Sequence, residues 1–538
     1  MKNKTSFPLY PFLFAIYPAL NLYSRNARSA AFTEVLRPMA VCLALAAVSL
    51  LAAQLVFRNR AKAGIWTSVF VMMFLSYGHL LRSATRLLHK FDIDWDPASH
   101  FTAALIVWIV VLALCTALLA TTKRKLGPAV QFLVVMSVAV TALALFHIGV
   151  VAASGGLGRK PDTGGWEKWI DGQRRQARNF GQQPGRPKPD IYYIVLDMYG
   201  RDDVLRKDYH FDNSAFIDSL TKRGFYVARR SRCNYACTQF SLPSSLNYDY
   251  MDSLMRAAKD QSTQYNRKAV LNSRLARILQ DKGYKYVFLT STCRISSECP
   301  YADILPSSGA VVYTELERWI VQRSVLNFLS VSNADATLRD QTLFQLDQLG
   351  QVPRIKAPTF TFAHVFCPHD PWVFDRKGNM PNQTATENPE ATRAAYVEQL
   401  RYLNDRMLQV VDKILANSPT PPIIVIQADH GPLDPTLLSR WLGSGDIRDP
   451  DGKIRLHAWT RVGILNAYYL PGEAKNALYD TITPVNTWRI VLDHYFGAHL
   501  GLLKDATYCP TRGWVGRGSV FELKDFLPYV EADPAAVP

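Results

Sequence analysis

The 538-residue sequence contains no internal repeat, no long low-complexity tract and no nucleic-acid-binding motif. It also lacks the pattern of a cleavable signal peptide, because apolar segments continue well beyond the first one. Acidic residues are outnumbered, 45 against 61 lysines and arginines, which leaves a net charge of +16. Scattered basic residues without such a motif favour anionic lipid or phosphate as partners over nucleic acid, and they fit solubility and topology signals equally well.

Long apolar runs are confined to the first 155 residues. The last four runs are each about 20 residues long, which spans a bilayer core of about 30 Å at about 1.5 Å per helical residue. The first run is shorter and contains Pro8, Pro11 and Pro18. We therefore predict a bundle of about five transmembrane helices. The runs lie near residues 7–22, 36–57, 63–82, 102–121 and 128–152.

The charges of the connecting loops predict the orientation of this bundle. Basic residues occur at 58–62, between the second and third runs, and at 123–125, between the fourth and fifth. Short basic loops stay cytoplasmic, whereas the acidic loop at 92–96 belongs outside. We therefore predict a multi-pass protein of the inner (cytoplasmic) membrane, with everything after the fifth span on the periplasmic or extracellular side.

The remaining chain divides by composition. A stretch rich in Gly, Pro, Arg and Gln contains one amphipathic helix around Trp166 and Trp169, which lies on the membrane surface or forms a simple surface turn. Six cysteines outside the membrane permit disulfides, with Cys293 and Cys299 near enough for a short loop, and free buried thiols are the alternative. The predicted boundaries are 1–153 for the membrane domain, 154–188 for the linker, 189–515 for a globular domain and 516–538 for a tail.

Apolar strands alternate with helical segments in the globular domain, which predicts an α/β fold with a largely parallel central sheet. Ligands gather at the carboxyl ends of the strands in such sheets. Metal-ligand residues follow three of these strands and should therefore meet at one edge: Asp197, His364 with His369, and Asp429 with His430. The predicted strands are Ile191–Leu196, Tyr284–Leu289, Thr359–Val365 and Ile423–Ile426, and the predicted helices are 213–223, 391–416 and 485–496.

The adjacent Asp429, His430 and Gly431 suit a metal site. A carboxylate oxygen and an imidazole nitrogen on neighbouring loop residues reach one cation, and the glycine allows the tight turn that aims them. Asp197 would add a third ligand. Oxygen and nitrogen ligands favour Zn²⁺ or Mn²⁺ over a metal that selects thiolates.

These residues together resemble the alkaline phosphatase/sulfatase superfamily. The resemblance rests on Asp197, Thr238 and 429–431, with His369-Asp370-Pro371-Trp372 between them. The preceding apolar spans make the chain similar to the lipoteichoic acid synthase and lipid A phosphoethanolamine transferase branch. The resemblance implies a metal held by Asp197, Thr238, Asp429 and His430, a nucleophilic Thr238, and His369 or His364 as the group that binds or protonates phosphate or leaving group.

Two alternatives remain within this resemblance. Sulfatases modify a Cys or Ser within a Cys-x-Pro-x-Arg pattern, but Cys237 is followed by Thr-Gln-Phe-Ser and lacks both Pro and Arg. Cys237 is therefore interpreted as structural or disulfide-bonded. His457 is a candidate for a second metal or for the substrate.

The implied function is transfer of phosphoethanolamine or phosphoglycerol from an anionic phospholipid donor to an envelope glycan or lipid acceptor, through a covalent phospho-threonine. A hydrolase that passes the group to water, and a catalytically silent membrane protein that binds glycans, are the alternatives. Anchoring in the membrane favours transfer, because a phospholipid presents its head group at the bilayer surface.

Overall fold

The computed structural model of the chain divides into two compact units, one comprising Met1–Asp162 with Ala310–Ala334 and the other Thr163–Gly309 with Asp335–Pro538. The segment Ala310–Ala334 belongs to the first unit, although the sequence placed it inside the globular domain. Ile320 of this segment packs against the buried clusters of the first unit. The structure describes residues 7–27, 32–89, 97–154, 164–181, 188–259, 265–306, 320–321, 324–381, 389–433, 457–510 and 523–525.

Long helices build the first unit. Among the described residues, three helical segments are long and apolar enough to cross a membrane, namely Val35–Phe57, Ala103–Thr121 and Gly127–Ala153. These helices fit a membrane protein, and the full count of five spans stays a prediction. The helices are α1 (Tyr10–Asn26), α2 (Thr33–Phe57), α3 (Arg60–His89), α4 (Pro97–Thr121) and α5 (Gly127–Ala153).

Small side chains allow the helices of this unit to approach one another. Ala15, Ala46 and Ala63 are buried, as expected where backbones pack closely without a hydrophobic driving force in lipid. Trp66 of α3 donates its indole N–H to Thr116 of α4 at 2.8 Å. The outer faces of α4 and α5 instead expose large apolar side chains, which suits contact with lipid. They include Ile106, Val107, Leu114, Leu118, Phe132, Val135, Leu143 and Phe146.

A six-stranded sheet with the order β2-β6-β5-β1-β4-β3 forms the centre of the second unit. The four strands β5, β1, β4 and β3 run parallel, which confirms the predicted α/β fold, whereas β6 pairs antiparallel with β5 and with β2. The strands are β1 (Ile191–Leu196), β2 (Tyr226–Val227), β3 (Lys285–Leu289), β4 (Thr359–Val365), β5 (Ile423–Gln427) and β6 (Asn466–Tyr469), and β7 (Tyr508–Pro510) with β8 (Leu523–Asp525) forms a separate pair.

Central strand β1 is buried on both faces, as a continuous apolar run predicts for a parallel sheet covered by helices. Its side chains alternate between two hydrophobic clusters, with Tyr192 and Ile194 in one and Tyr193 and Val195 in the other.

The described helices of this unit are α6 (Gly164–Ala177), α7 (Asp202–Asp208), α8 (Ser214–Lys222), α9 (Thr238–Asn247), α10 (Met251–Ala258), α11 (Tyr265–Leu271), α12 (Arg274–Asp281), α13 (Asn327–Leu349), α14 (Pro389–Asn417), α15 (His457–Val462) and α16 (Pro484–Phe496), with 3-10 turns at Arg294–Ser296, Val352–Arg354 and Gly472–Ala477.

Helix α6 corrects the prediction of a membrane-surface helix or a simple turn. Trp166 is fully buried in a cluster of the second unit, and its indole N–H donates to the carbonyl of Asn272 at 3.1 Å. Arg174 adds a two-pronged ion pair with Asp281 of α12. The apolar face of α6 is therefore satisfied by its own unit rather than by lipid.

Cys293 and Cys299 are free thiols, so the disulfide between them that the sequence permits is not formed. Cys233, Cys237, Cys299 and Cys367 are buried. Burial raises the pKa of the Cys299 thiol to about 11, which keeps it protonated and inert at neutral pH. The side chain of Cys509 lies outside the described residues.

Candidate metal centre

Two neighbouring strands place three side chains together at their carboxyl ends. Asp197 directly follows β1, and Asp429 and His430 follow β5, its hydrogen-bonded neighbour in the sheet. All three residues are buried, and one ligand atom from each lies within 4.8 Å of the other two. The Nε2 atom of His430 is 3.7 Å from Oδ1 of Asp197 and 3.4 Å from Oδ2 of Asp429. Such separations suit ligands that each lie about 2 Å from one cation.

In each carboxylate, one oxygen accepts hydrogen bonds and the other is left for a ligand. Oδ1 of Asp429 accepts hydrogen bonds from the backbone N–H groups of His430 at 2.9 Å and Met198 at 3.3 Å. Oδ2 of Asp197 faces Nε2 of His364 at 3.1 Å. Among the described residues, none hydrogen-bonds to Oδ1 of Asp197 or Oδ2 of Asp429, although both atoms are buried. Buried acceptors of this kind need a partner, and a cation supplies it.

Backbone strain accompanies this arrangement. Met198 has a φ of +64°, a left-handed conformation that a residue other than glycine adopts at an energetic cost. That conformation directs the Met198 N–H at Asp429 instead of along the strand. The strained residue therefore links the ends of the two ligand-bearing strands.

Electrostatics within the cluster oppose two free negative charges. Burial opposes ionisation of Asp197, but His369 and the hydrogen bond of His364 hold the pKa of its carboxyl below the usual value. Burial, and then the charge of Asp197, raises the pKa of Asp429 to about 7. A divalent cation between the two carboxylates would remove the repulsion that raises this pKa.

His430 presents an unprotonated nitrogen to the cluster. Burial, and then the charge of Arg461, lowers the pKa of His430 well below its ordinary value, so the ring is neutral. Its Nδ1 lies 3.1 Å from the carbonyl oxygen of Gly431 and donates its proton there. The lone pair of Nε2 is therefore directed at the two carboxylates, which is the tautomer that a metal requires.

The hydroxyl of Thr238 lies next to this nitrogen. Its Oγ1 is 3.1 Å from Nε2 of His430, and the side chain is only partly buried. Thr238 is the first residue of α9, whose positive N-terminal dipole favours an anion at that point. The hydroxyl of Ser241 in the same helix donates to the Asp429 carbonyl at 2.6 Å and ties α9 to the loop after β5. The neighbouring thiol of Cys237 is buried.

Gly431 is required for close approach rather than for the predicted tight turn. A Cβ atom there would lie 2.1 Å from the Thr460 carbonyl oxygen and 2.8 Å from that of Gly463. The backbone N–H of Gly431 donates to the Arg461 carbonyl at 2.7 Å. The glycine therefore lets the 460–463 segment pack directly against the ligand loop.

Arg461 is a site residue that the sequence reasoning missed. Its buried guanidinium donates to the carbonyls of Ala236 and Gly431 at 2.9 Å each, and its Nη2 lies 3.2 Å from Nε2 of His430. The guanidinium of Arg461 and the hydroxyl of Thr238 therefore both lie beside Nε2 of His430. An arginine that directly precedes the apolar stretch 462–465 was the available signal, because a charged residue next to a buried segment needs partners.

The three candidate histidines occupy different positions. His364 is fully buried at the end of β4 and contacts Asp197. His369 is partly buried, stacks on Phe366 at 4.3 Å, and directs Nδ1 at the carbonyl oxygen of Asp370 at 2.6 Å. Its influence on the pKa of Asp197 places it in the same electrostatic neighbourhood. His457 begins α15, and its side chain lies outside the described residues.

The donor set fits a divalent metal. Two carboxylate oxygens, one imidazole nitrogen and the Thr238 hydroxyl are hard or borderline ligands, and no thiolate takes part among the described site residues. Such a set is typical of Zn²⁺ or Mn²⁺. Asp197, Asp429 and His430 would hold the ion, with Thr238 beside it.

Comparisons with solved structures show similarity to bacterial envelope proteins. The C-terminal periplasmic domain of EcEptC from Escherichia coli is 12% identical, with a TM-score of 0.40, and the match covers 66% of this chain and 97% of that one. The lipooligosaccharide phosphoethanolamine transferase A (EptA) from Neisseria meningitidis is 10% identical, with a TM-score of 0.38, over 90% of this chain and 94% of that one. The corresponding domain of phosphoethanolamine transferase EptC from Campylobacter jejuni is 11% identical, with a TM-score of 0.37, over 58% and 90%.

Sequence comparison identifies the family. No curated protein matches the chain significantly. The family model described as Sulfatase, in contrast, matches residues 189–487. The match begins just before β1, continues past β6, and contains every residue of the metal centre. Because it covers more than half of the chain, the protein belongs to the sulfatase family of enzymes.

Proposed function

We propose that this protein is a metal-dependent transferase of the cell envelope. It would move phosphoethanolamine or phosphoglycerol from a phospholipid to an envelope glycan or lipid, with the group held transiently on Thr238. Five spans in the inner membrane would keep the second unit on the periplasmic or extracellular side. The observation that carries the proposal is the position of the Thr238 hydroxyl, 3.1 Å from Nε2 of His430, at a cluster with two buried carboxylate oxygens that have no hydrogen-bond partner among the described residues.

The residues of the site divide the chemical work. A bound divalent cation would supply the positive charge that favours loss of the Thr238 proton and offsets the charge of a phosphodiester. Thr238 Oγ1 would form the bond to phosphorus as the bond from phosphorus to the lipid oxygen breaks. The N-terminal dipole of α9 and the guanidinium of Arg461 would both attract the oxygens of the transferred group.

His369 is the candidate for the proton that the leaving alcohol needs. Its side chain is partly exposed, unlike that of His364, and Nδ1 is already engaged with the Asp370 carbonyl. Nε2 is therefore the nitrogen from which the protonated ring would give a proton to the lipid oxygen, and the neutral ring that results would take a proton back from the acceptor hydroxyl. Stacking on Phe366 fixes the ring for both steps.

Three observations favour this function over its alternatives. The reactive position of sulfatases is absent, since Cys237 is buried and lacks the following Pro and Arg, whereas the adjacent Thr238 faces the metal centre. A hydrolase needs no membrane helices to reach a soluble ester, and this chain has at least three among its described residues. A silent glycan-binding protein would not need paired buried carboxylates without hydrogen-bond partners.

The function is tested by supplying head-group-labelled phospholipid to the full chain in detergent. Phosphatidylethanolamine and phosphatidylglycerol are offered separately, with Zn²⁺ or Mn²⁺ restored after chelation. We expect metal-dependent release of diacylglycerol and label on the peptide that contains Thr238, measured by mass spectrometry. Label that passes to an added glycolipid supports transfer, and label found only as the free phospho-alcohol supports the hydrolase. The proposal is overturned if the protein neither cleaves the lipid nor becomes labelled with either metal.

Arg461→Lys tests the proposed anion contact. Lysine keeps the positive charge but loses the planar fork that reaches two carbonyls and an oxyanion together, so we expect kcat/KM to fall about 10²-fold. Zn²⁺ affinity should change little, because the ligand atoms remain. Arg489→Lys is the matched control, since Arg489 is also buried and also donates to backbone carbonyls, those of Tyr248, Leu500 and Gly501. Equal kinetic losses in both variants would argue for a purely structural role of Arg461.

A further inference from the structure

Two further buried side chains lie behind Asp197 in a chain of hydrogen bonds. His364 lies 3.1 Å from Asp197 through Nε2 and 2.7 Å from the hydroxyl oxygen of Ser296 through Nδ1. Ser296, His364 and Asp197 all have 0% of their surface exposed. We propose that Ser296 and His364 are positioning residues that orient Asp197 toward the metal, an inference that rests on the metal-dependent function proposed above.

The hydrogen-bond roles in this chain follow from its chemistry. A carboxylate oxygen only accepts, so Nε2 of His364 donates its proton to Oδ2 of Asp197. In the neutral ring Nδ1 is then an acceptor, and the Ser296 hydroxyl supplies the proton. Ser296 therefore selects the tautomer that lets His364 hold the carboxylate. Oδ1 of Asp197, which has no hydrogen bond among the described residues, is left for the cation.

Backbone contacts keep the histidine in place. Val195 of β1 pairs with His364 of β4, and the Asp197 N–H donates to the Val365 carbonyl at 3.0 Å, so the two residues are neighbours across adjacent strands. The amide of buried Gln345 donates to the carbonyls of His364 at 2.9 Å and Thr290 at 2.8 Å. The end of β4 is thereby joined to the end of β3.

The serine is anchored as firmly as the ring. Ser296 ends the 3-10 turn Arg294–Ser296, where its N–H donates to the Cys293 carbonyl at 3.0 Å and its carbonyl accepts from Ser291 at 2.9 Å. The backbone of Ser296 is therefore fixed at the position from which its hydroxyl reaches the ring. Full burial also separates His364 from solvent, which suits a positioning residue better than a group that exchanges protons with substrate.

Zn²⁺ affinity of the full chain in detergent, measured by competition with a chelator, tests the proposal without relying on turnover. Loss of an outer hydrogen bond to a metal ligand typically costs 10- to 100-fold in affinity, and we expect such a loss in His364→Leu. His364→Gln should recover most of the affinity, because its amide still donates to Asp197. Ser296→Ala should bind zinc about tenfold more weakly, because the ring is no longer held in one tautomer.

Ser291→Ala is the matched control. Ser291 lies in the same loop, is buried, and accepts a hydrogen bond only from the Cys293 N–H among its described side-chain contacts, so zinc affinity should stay at the wild-type value. The inference is overturned if Ser296→Ala, which removes one oxygen, binds zinc as tightly as the wild type. A wild-type chain that binds no divalent metal would instead overturn the metal-dependent function itself, so the two failures are distinguishable.

Discussion

Replacing Thr238 by alanine is expected to lower the turnover of phospholipid by at least about 10³-fold, because the variant has no oxygen to accept the phospho-alcohol group. Zn²⁺ affinity should fall much less, since Asp197, Asp429 and His430 keep their ligand atoms. The measurement is the initial rate of diacylglycerol release together with mass spectrometry of the peptide that contains residue 238. Thr238→Ser should retain substantial activity, because the hydroxyl remains at the first residue of α9.

Ser244→Ala controls for damage to helix α9. Ser244 is buried in the same helix, but its hydroxyl donates at 2.7 Å to the carbonyl of Asp249, which follows the C-terminal end of the helix. Its turnover should match that of the wild type. Undiminished turnover in Thr238→Ala would disprove the assignment of the nucleophile, and label found on Cys237 instead would identify the thiol as the acceptor.

Asp429→Asn is expected to abolish the thermal stabilisation that zinc gives the full chain. At free metal about 100-fold above Kd, a single site adds about 2.7 kcal/mol to the free energy of unfolding of the second unit. Asparagine can still accept from the N–H groups of Met198 and His430 through its amide oxygen, so the loop should keep its shape. The substitution removes the negative charge that binds the divalent ion, and with it the stabilisation by zinc.

The same variant should be at least as stable as the wild type when a chelator is present. Burial and the nearby charge of Asp197 raise the pKa of Asp429 to about 7, so the free energy of unfolding decreases as pH rises from the ordinary carboxyl pKa to about 7 and stays lower above that pH. A neutral amide removes this penalty. Asp405→Asn, which changes an exposed carboxylate on α14, should keep the full zinc-dependent shift. A zinc-dependent shift of unchanged size in Asp429→Asn would contradict the assigned ligand.

The sheet was predictable because its central strands are short apolar runs that end in polar residues. The carboxyl-end rule placed Asp197, Asp429 and His430 at one edge, and the structure brings their ligand atoms together. Strand β6 was not predicted, since Asn466–Tyr469 is short and its partner, β5, lies about 40 residues away in sequence, a separation on which alternation carries no information.

The supporting residues could not be predicted for a related reason. Ser296 precedes His364 by 68 residues, and Arg461 follows His430 by 31, with no motif connecting either pair. Only the folded chain shows that they touch. The interfacial role expected for Trp166 failed because an amphipathic helix next to a membrane segment has two possible partners, lipid and its own unit, and composition does not distinguish them.

The docking of Trp166 has a practical consequence for dissecting the chain. A soluble fragment that started at the compositional boundary, near residue 189, would lack the Trp166 indole, which packs in one cluster with Met251, Tyr265 and Ala269. The truncated surface would expose an apolar hollow, and aggregation of such fragments would then reflect where the chain was cut. A soluble fragment should therefore begin upstream of Gly164, so that it keeps helix α6 together with the rest of the second unit.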